Sequence, residues 1–110
     1  AVLYNAITVG SSREYTTISE TSFDGKYILE TLRTDTNSGV MIGFEICSAQ
    51  NKNVIYQCPD VYRARDLHTI EWVYNSNNIY VDSYDIGAYV YRQYDGTWVR
   101  EHSSHGLLLE

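Results

Sequence analysis

Hydrophobic and polar positions alternate with a period of two along most of this chain. Residues 40–48 (VMIGFEICS) put Val40, Ile42, Phe44 and Ile46 on one face and Met41, Gly43, Glu45 and Cys47 on the other, the pattern of a half-buried strand. Residues 26–34 (KYILETLRT) follow Phe23-Asp24-Gly25, a tight-turn signal, and Tyr27, Leu29 and Leu32 are expected to supply sheet-facing apolar surface. Residues 54–58 (VIYQC) form a return arm stopped by Pro59, which has no N–H to give a ladder. Residues 69–74 (TIEWVY) and 78–83 (NIYVDS) flank a turn at 75–77, and residues 88–93 (AYVYRQ) and 97–101 (TWVRE) flank Asp95-Gly96. No stretch of about ten residues carries a helical period, which argues against a parallel βαβ arrangement. The pattern predicts an all-β fold, an antiparallel meander of about six to eight strands curled into a single sheet or a small sandwich.

Asp95-Gly96 is the clearest local signal. It suits a type I′ two-residue turn, which sets Tyr91 opposite Arg100 and Gln93 opposite Trp98 on one face. Residues 1–15 are compatible with an edge strand or a short helix, and the loops expected are 35–39 and the longer connection 59–68.

The length of 110 residues suits one domain, read as 1–106, with 107–110 a disordered tail or cloning scar. With 44% apolar and 20% charged residues the chain can bury a core, which argues against intrinsic disorder. A net charge of -6 lacks the footprint of a nucleic-acid binder and disfavours an anionic membrane surface. No apolar run reaches the ~18 residues of a membrane-spanning helix. A start at Ala1 without basic or apolar leader residues fits a removed signal or a sequence that begins partway into its gene.

Candidate chemistry is sparse. Cys47 and Cys58 lie on two arms of one hairpin, so a cross-strand disulfide is geometrically allowed if they face each other; a one-residue slip forbids it and leaves two free thiols. His102 and His105 have an H-x-x-H spacing that could offer zinc two ligands if a carboxylate joined them, and an unstructured Ser/His/Gly tail is the simpler account. Asp82, Asp85 and Asp95 adjoin turns, where local backbone hydrogen bonds explain them without acid/base chemistry. The run 35–39 (DTNSG) resembles the start of a calcium loop but lacks its closing glutamate. No nucleophile–base signature or glycine-rich phosphate cradle is present, so no catalytic residue, metal or cofactor is expected.

The aromatics are the functional opening. Of eleven tyrosines, Tyr80, Tyr84, Tyr89, Tyr91 and Tyr94 fall between positions 80 and 94, beside Trp98. At strand spacing Tyr89, Tyr91 and Trp98 share one face, with Tyr80, Tyr84 and Arg100 nearby. That face is either core or an exposed platform for a protein, peptide or glycan.

The run 22–28 (SFDGKYI) resembles the S-P-D-G-K-Y opening of blades in TolB-like β-propellers, and Glu71-Trp72 with Asn77-Asn78-Ile79-Tyr80-Val81 resembles an E-W…N-x-x-V pattern. Together they are similar to a family of small, uncharacterised bacterial proteins, many of them lipoproteins or membrane-anchored. The resemblance covers residues 20–83 and implies an extracytoplasmic β domain behind an N-terminal anchor, with no catalytic residues to carry over. A propeller needs at least four blades and this chain supplies at most two. The expected function is a non-catalytic binding module using the Tyr/Trp face. The alternatives are a self-associating accessory domain, as a homodimer, or a hydrolase or metal enzyme using His102, His105 or the aspartates.

Overall fold

The period-two pattern becomes nine strands within residues 13–103, the part of the chain that the computed structural model describes. They are β1 (Arg13–Thr21), β2 (Tyr27–Thr36), β3 (Gly39–Ser48), β4 (Val54–Gln57), β5 (Tyr62–Arg63), β6 (Leu67–Trp72), β7 (Ile79–Ser83), β8 (Gly87–Tyr94) and β9 (Thr97–Ser103). All pairings are antiparallel. The first sheet runs β1-β2-β3-β4 with β5 also on β3, the second β6-β7-β8-β9, and neither closes into a barrel. The expected all-β meander is therefore present in its sandwich form. The readings of residues 1–12 and of 104–110, His105 included, lie outside the described residues.

The core sits between the sheets. Leu29, Phe44, Ile46, Cys58 and Tyr62 from the first pack against Trp72, Ile79, Val81, Tyr91 and Trp98 from the second. The rings interlock edge to face, Phe44 with Tyr91 at 5.0 Å and Tyr27 with Trp98 at 5.3 Å between centroids. Their polar ends are satisfied across the layers: Trp72 Nε1 donates to the Glu20 carbonyl at 2.9 Å, and Gln93 Nε2 donates to Tyr27 Oη at 2.8 Å. Leu32 departs from expectation. It is out of phase with Tyr27 and Leu29, so it is buried on the outer face of the first sheet.

The β8–β9 turn has positive φ at both Asp95 (51°) and Gly96 (82°), as a type I′ turn requires, and Tyr91 stands opposite Arg100 and Gln93 opposite Trp98. The β3–β4 hairpin carries a bulge between Ile46 and Cys47, so that Cys47 faces Val54, while Cys58 N–H bonds the Phe44 carbonyl. Cys47 thus lies beside Glu30 on the outer face and Cys58 lies in the core. Both are free, buried thiols, and the bridge allowed by the sequence is not formed. β5, in the connection 59–68 read as loop, continues the β3 edge beyond β4 by pairing Tyr62 with Ile42.

The sheets are also related to each other. At the β1–β2 turn Ser22 N–H bonds the Tyr27 carbonyl and Gly25 N–H the Ser22 carbonyl; at the β6–β7 turn Val73 N–H bonds the Asn78 carbonyl and Ser76 N–H the Val73 carbonyl. The same turn therefore opens the second strand of each four-stranded meander. On this correspondence Leu29, which faces the core, matches Tyr80, which faces away from it. The two meanders therefore stack face to back, through non-equivalent faces.

Candidate binding site

Tyr89, Tyr91 and Gln93 of β8 share a face with His102, Arg100 and Trp98 of β9, and this face turns towards the first sheet. Sheet packing therefore covers most of it. Tyr91 and Trp98 are core residues, 0% and 3% exposed, and do not belong to a contact surface. Tyr80 is also buried, on the opposite face beside Val90, its β8 partner. Tyr84 is exposed at the β7–β8 turn with its ring 6.2 Å from His68. Of the expected aromatic–cationic face, Tyr89 and Arg100 remain together and accessible.

Their arrangement is specific. The Arg100 guanidinium lies 4.5 Å from the centre of the Tyr89 ring, and His102 meets the same ring edge-on at 5.3 Å. Arg100 Nη1 is 3.3 Å from Asp60 Oδ1. Asp60 comes from the connection between β4 and β5, brought over the edge of the second sheet by the return of the chain onto β3. Its Oδ2 accepts a hydrogen bond from Tyr91 Oη at 2.9 Å, and Tyr91 Oη is hydrogen-bonded in turn to Tyr62 Oη. Cys58 Sγ donates to the same Oδ2 at 3.8 Å and accepts from Asp60 N–H at 3.4 Å. Asp60 is the hub on which a surface arginine and a buried phenol pair converge.

Burial sets the chemistry behind the patch. It pushes the Cys58 thiol up to about 11 and the Tyr62 phenol up to about 12, and it raises Tyr91 further, helped by the Tyr62 hydroxyl. These groups are neutral and protonated around pH 7, and a protonated thiol is a poor nucleophile. The arrangement can hold a cation and a ring in a fixed place at the surface.

Asp60 and Tyr62 were missed as site residues. Asp60 reads as one more charged loop residue, and only contacts that span the two sheets distinguish it. Asp85 and Asp95 do turn work, Asp85 accepting from Ser83 Oγ at 2.5 Å and Asp95 occupying the tight turn. Among the described residues, Glu30, Glu45 and Cys47 bring ligand atoms within 4.8 Å of one another. Burial, together with the charges of both glutamates, pushes the Cys47 thiol up to about 11, and it donates to Glu30 Oε1 at 3.9 Å. That cluster is held by its own proton at neutral pH, and metal binding would have to displace it. No protein family, curated protein or solved structure matches this chain.

Proposed function

We propose that this domain is a non-catalytic binding module whose contact surface is the Tyr89–Arg100–His102 patch, and that it takes an acidic peptide segment. The observation that carries the reading is the fixed guanidinium. Arg100 remains 42% exposed at its side chain while stacked on Tyr89 and tethered by Asp60, so its entropy of ordering is already spent. An arginine presented in this way can offer its remaining N–H donors to a carboxylate, and Tyr89 supplies apolar contact beside it. The raised thiol and phenols support binding over catalysis. Selection from a random-peptide display library tests the reading. Acidic peptides should be enriched by the wild-type domain and lost with Arg100→Ala or Tyr89→Ala; enrichment that is indifferent to both variants, or absent, overturns it. An extracytoplasmic, membrane-anchored location is proposed on the SFDGKYI and E-W…N-x-x-V motifs alone, and fractionation of cells expressing the complete gene product tests it.

A second reading, self-association, is favoured by the face-to-back stacking. Such packing leaves unlike outer faces, and a heterologous contact between unlike faces can recruit a further copy. Val99 and Tyr94 are exposed on the outer face of the second sheet. Sedimentation velocity should then show mass rising with concentration and falling back with Val99→Glu; a strict monomer at high concentration rejects this reading.

A further inference from the structure

The two corresponding turns meet at the end of the sandwich where β2 and β7 begin. Asp24 Oδ2 accepts a hydrogen bond from Asn77 Nδ2 at 2.9 Å, joining one turn to the other, while Asp24 Oδ1 accepts from Ser22 Oγ at 2.8 Å and from Lys26 N–H at 3.0 Å. Phe23 and Tyr74 occupy matching positions in the two turns. Their rings stand edge to face at 5.0 Å and are 55% and 77% exposed. Single exposed apolar residues are ordinary, but two large rings placed together in water on a hydrogen-bonded base are a recognition feature.

Beside them is a cleft of about 170 Å³ lined by Phe23, Asp24, Asn75, Ser76 and Asn77. This is below the ~300–1,000 Å³ of pockets for drug-sized ligands and suits a single small ring. The lining selects further. It has no cation to pair with an anionic ligand, and its one carboxylate is engaged with three donors. Two carboxamides and a carboxylate beside an aromatic face match a neutral ligand with many hydroxyls on its rim and C–H bonds on its face. Asn75 is held at φ 57°, so its side chain projects from a defined left-handed backbone.

We propose that this paired-turn tip is a carbohydrate-recognition site that stacks one neutral sugar ring on Phe23 and Tyr74 and hydrogen-bonds its hydroxyls through Asn75, Asn77 and Asp24. The site lies apart from the Arg100 patch and does not depend on it. The probes are glucose, galactose, mannose and N-acetylglucosamine, titrated singly into ¹⁵N-labelled protein and followed by ¹H–¹⁵N spectra. At least one should give saturable shifts centred on residues 22–25 and 73–77. Tyr74→Ala and Phe23→Ala should each weaken that binding about tenfold or more, as loss of a stacked aromatic anchor does, with melting unchanged. Arg100→Ala should leave it intact, so failure of the peptide reading and failure of this one are distinguishable. The proposal is overturned by no saturable shift at these residues with any of the sugars, by equal binding in Tyr74→Ala, or by shifts there that only a peptide produces.

Discussion

At the scale of single residues, Asp60 carries more of the molecule than its loop position suggests. It accepts from the Tyr91 hydroxyl and the Cys58 thiol and pairs with Arg100. Tyr91→Phe should destabilise the fold by about 1.5–3 kcal/mol, the range for a hydrogen bond to a charged group, because the Tyr62 hydroxyl loses its buried partner as well. Urea unfolding measures this, and a loss below about 0.5 kcal/mol would show that the hydroxyl network is incidental to stability. Phe44→Ala, which empties the space against the Tyr91 ring, should cost about 3–5 kcal/mol. Little in the local sequence marks Asp60, since Tyr91 and Arg100 lie 31 and 40 positions away, on strands of the other sheet.

At the scale of elements, the turns obey local chemistry and the faces do not. Asp95-Gly96 is read correctly from two residues because a type I′ turn demands positive φ at both positions, and the register of β8 on β9 follows from it. Gly96→Ala should therefore destabilise by about 1–2 kcal/mol through the backbone alone, because a Cβ there meets nothing within 4 Å. A measured loss near zero would mean that the turn relaxes to another type. The β3–β4 hairpin is the counterexample. The extra residue of its bulge, Ile55, sits in the return arm, and nothing in the short run VIYQC marks it. β5 was equally hidden, since two residues become a strand only by finding the edge of β3.

At the scale of the whole molecule, buried acids and exposed ones set the pH limits. The folded pKa values of Cys47 and Cys58 stand at about 11, and of Tyr56 and Tyr62 at about 12, all raised first by burial. The native state holds these protons more tightly than the unfolded chain. Their contribution is thus complete below the ordinary thiol value near 8.5 and is lost as pH rises through about 11 to 12. The urea midpoint should be level from pH 7 to about 8 and fall steadily above about 9; a flat profile to pH 11 would contradict the buried protonated groups. Asp24 and Glu101 act in the opposite sense. The Asn77 amide and the Arg92 guanidinium respectively hold their carboxyls below ordinary values, so their small, solvent-screened contributions are present at neutrality and disappear as pH falls below about 4. A thiol-reactive aromatic disulfide should label Cys58 no faster than the domain opens, and rapid stoichiometric labelling of native protein would show that the core around it is breached.

By itself the sequence determined that this chain is all-β, where most of its strands run, which turns join them and which residues stand opposite across β8 and β9. These properties are set within a few residues of one another, by side-chain alternation, turn geometry and the missing N–H of proline. Only the tertiary structure decided which of those faces are buried. Whether Tyr91 and Trp98 form a platform or a core depends on whether a second sheet lies over them, and alternation is the same in both cases. Packing made them core, left Tyr89 and Arg100 at the rim with Asp60, and brought Phe23 to Tyr74. Each of these contacts joins residues far apart in the chain, and their energy comes from burial and cross-sheet hydrogen bonds that no local pattern encodes.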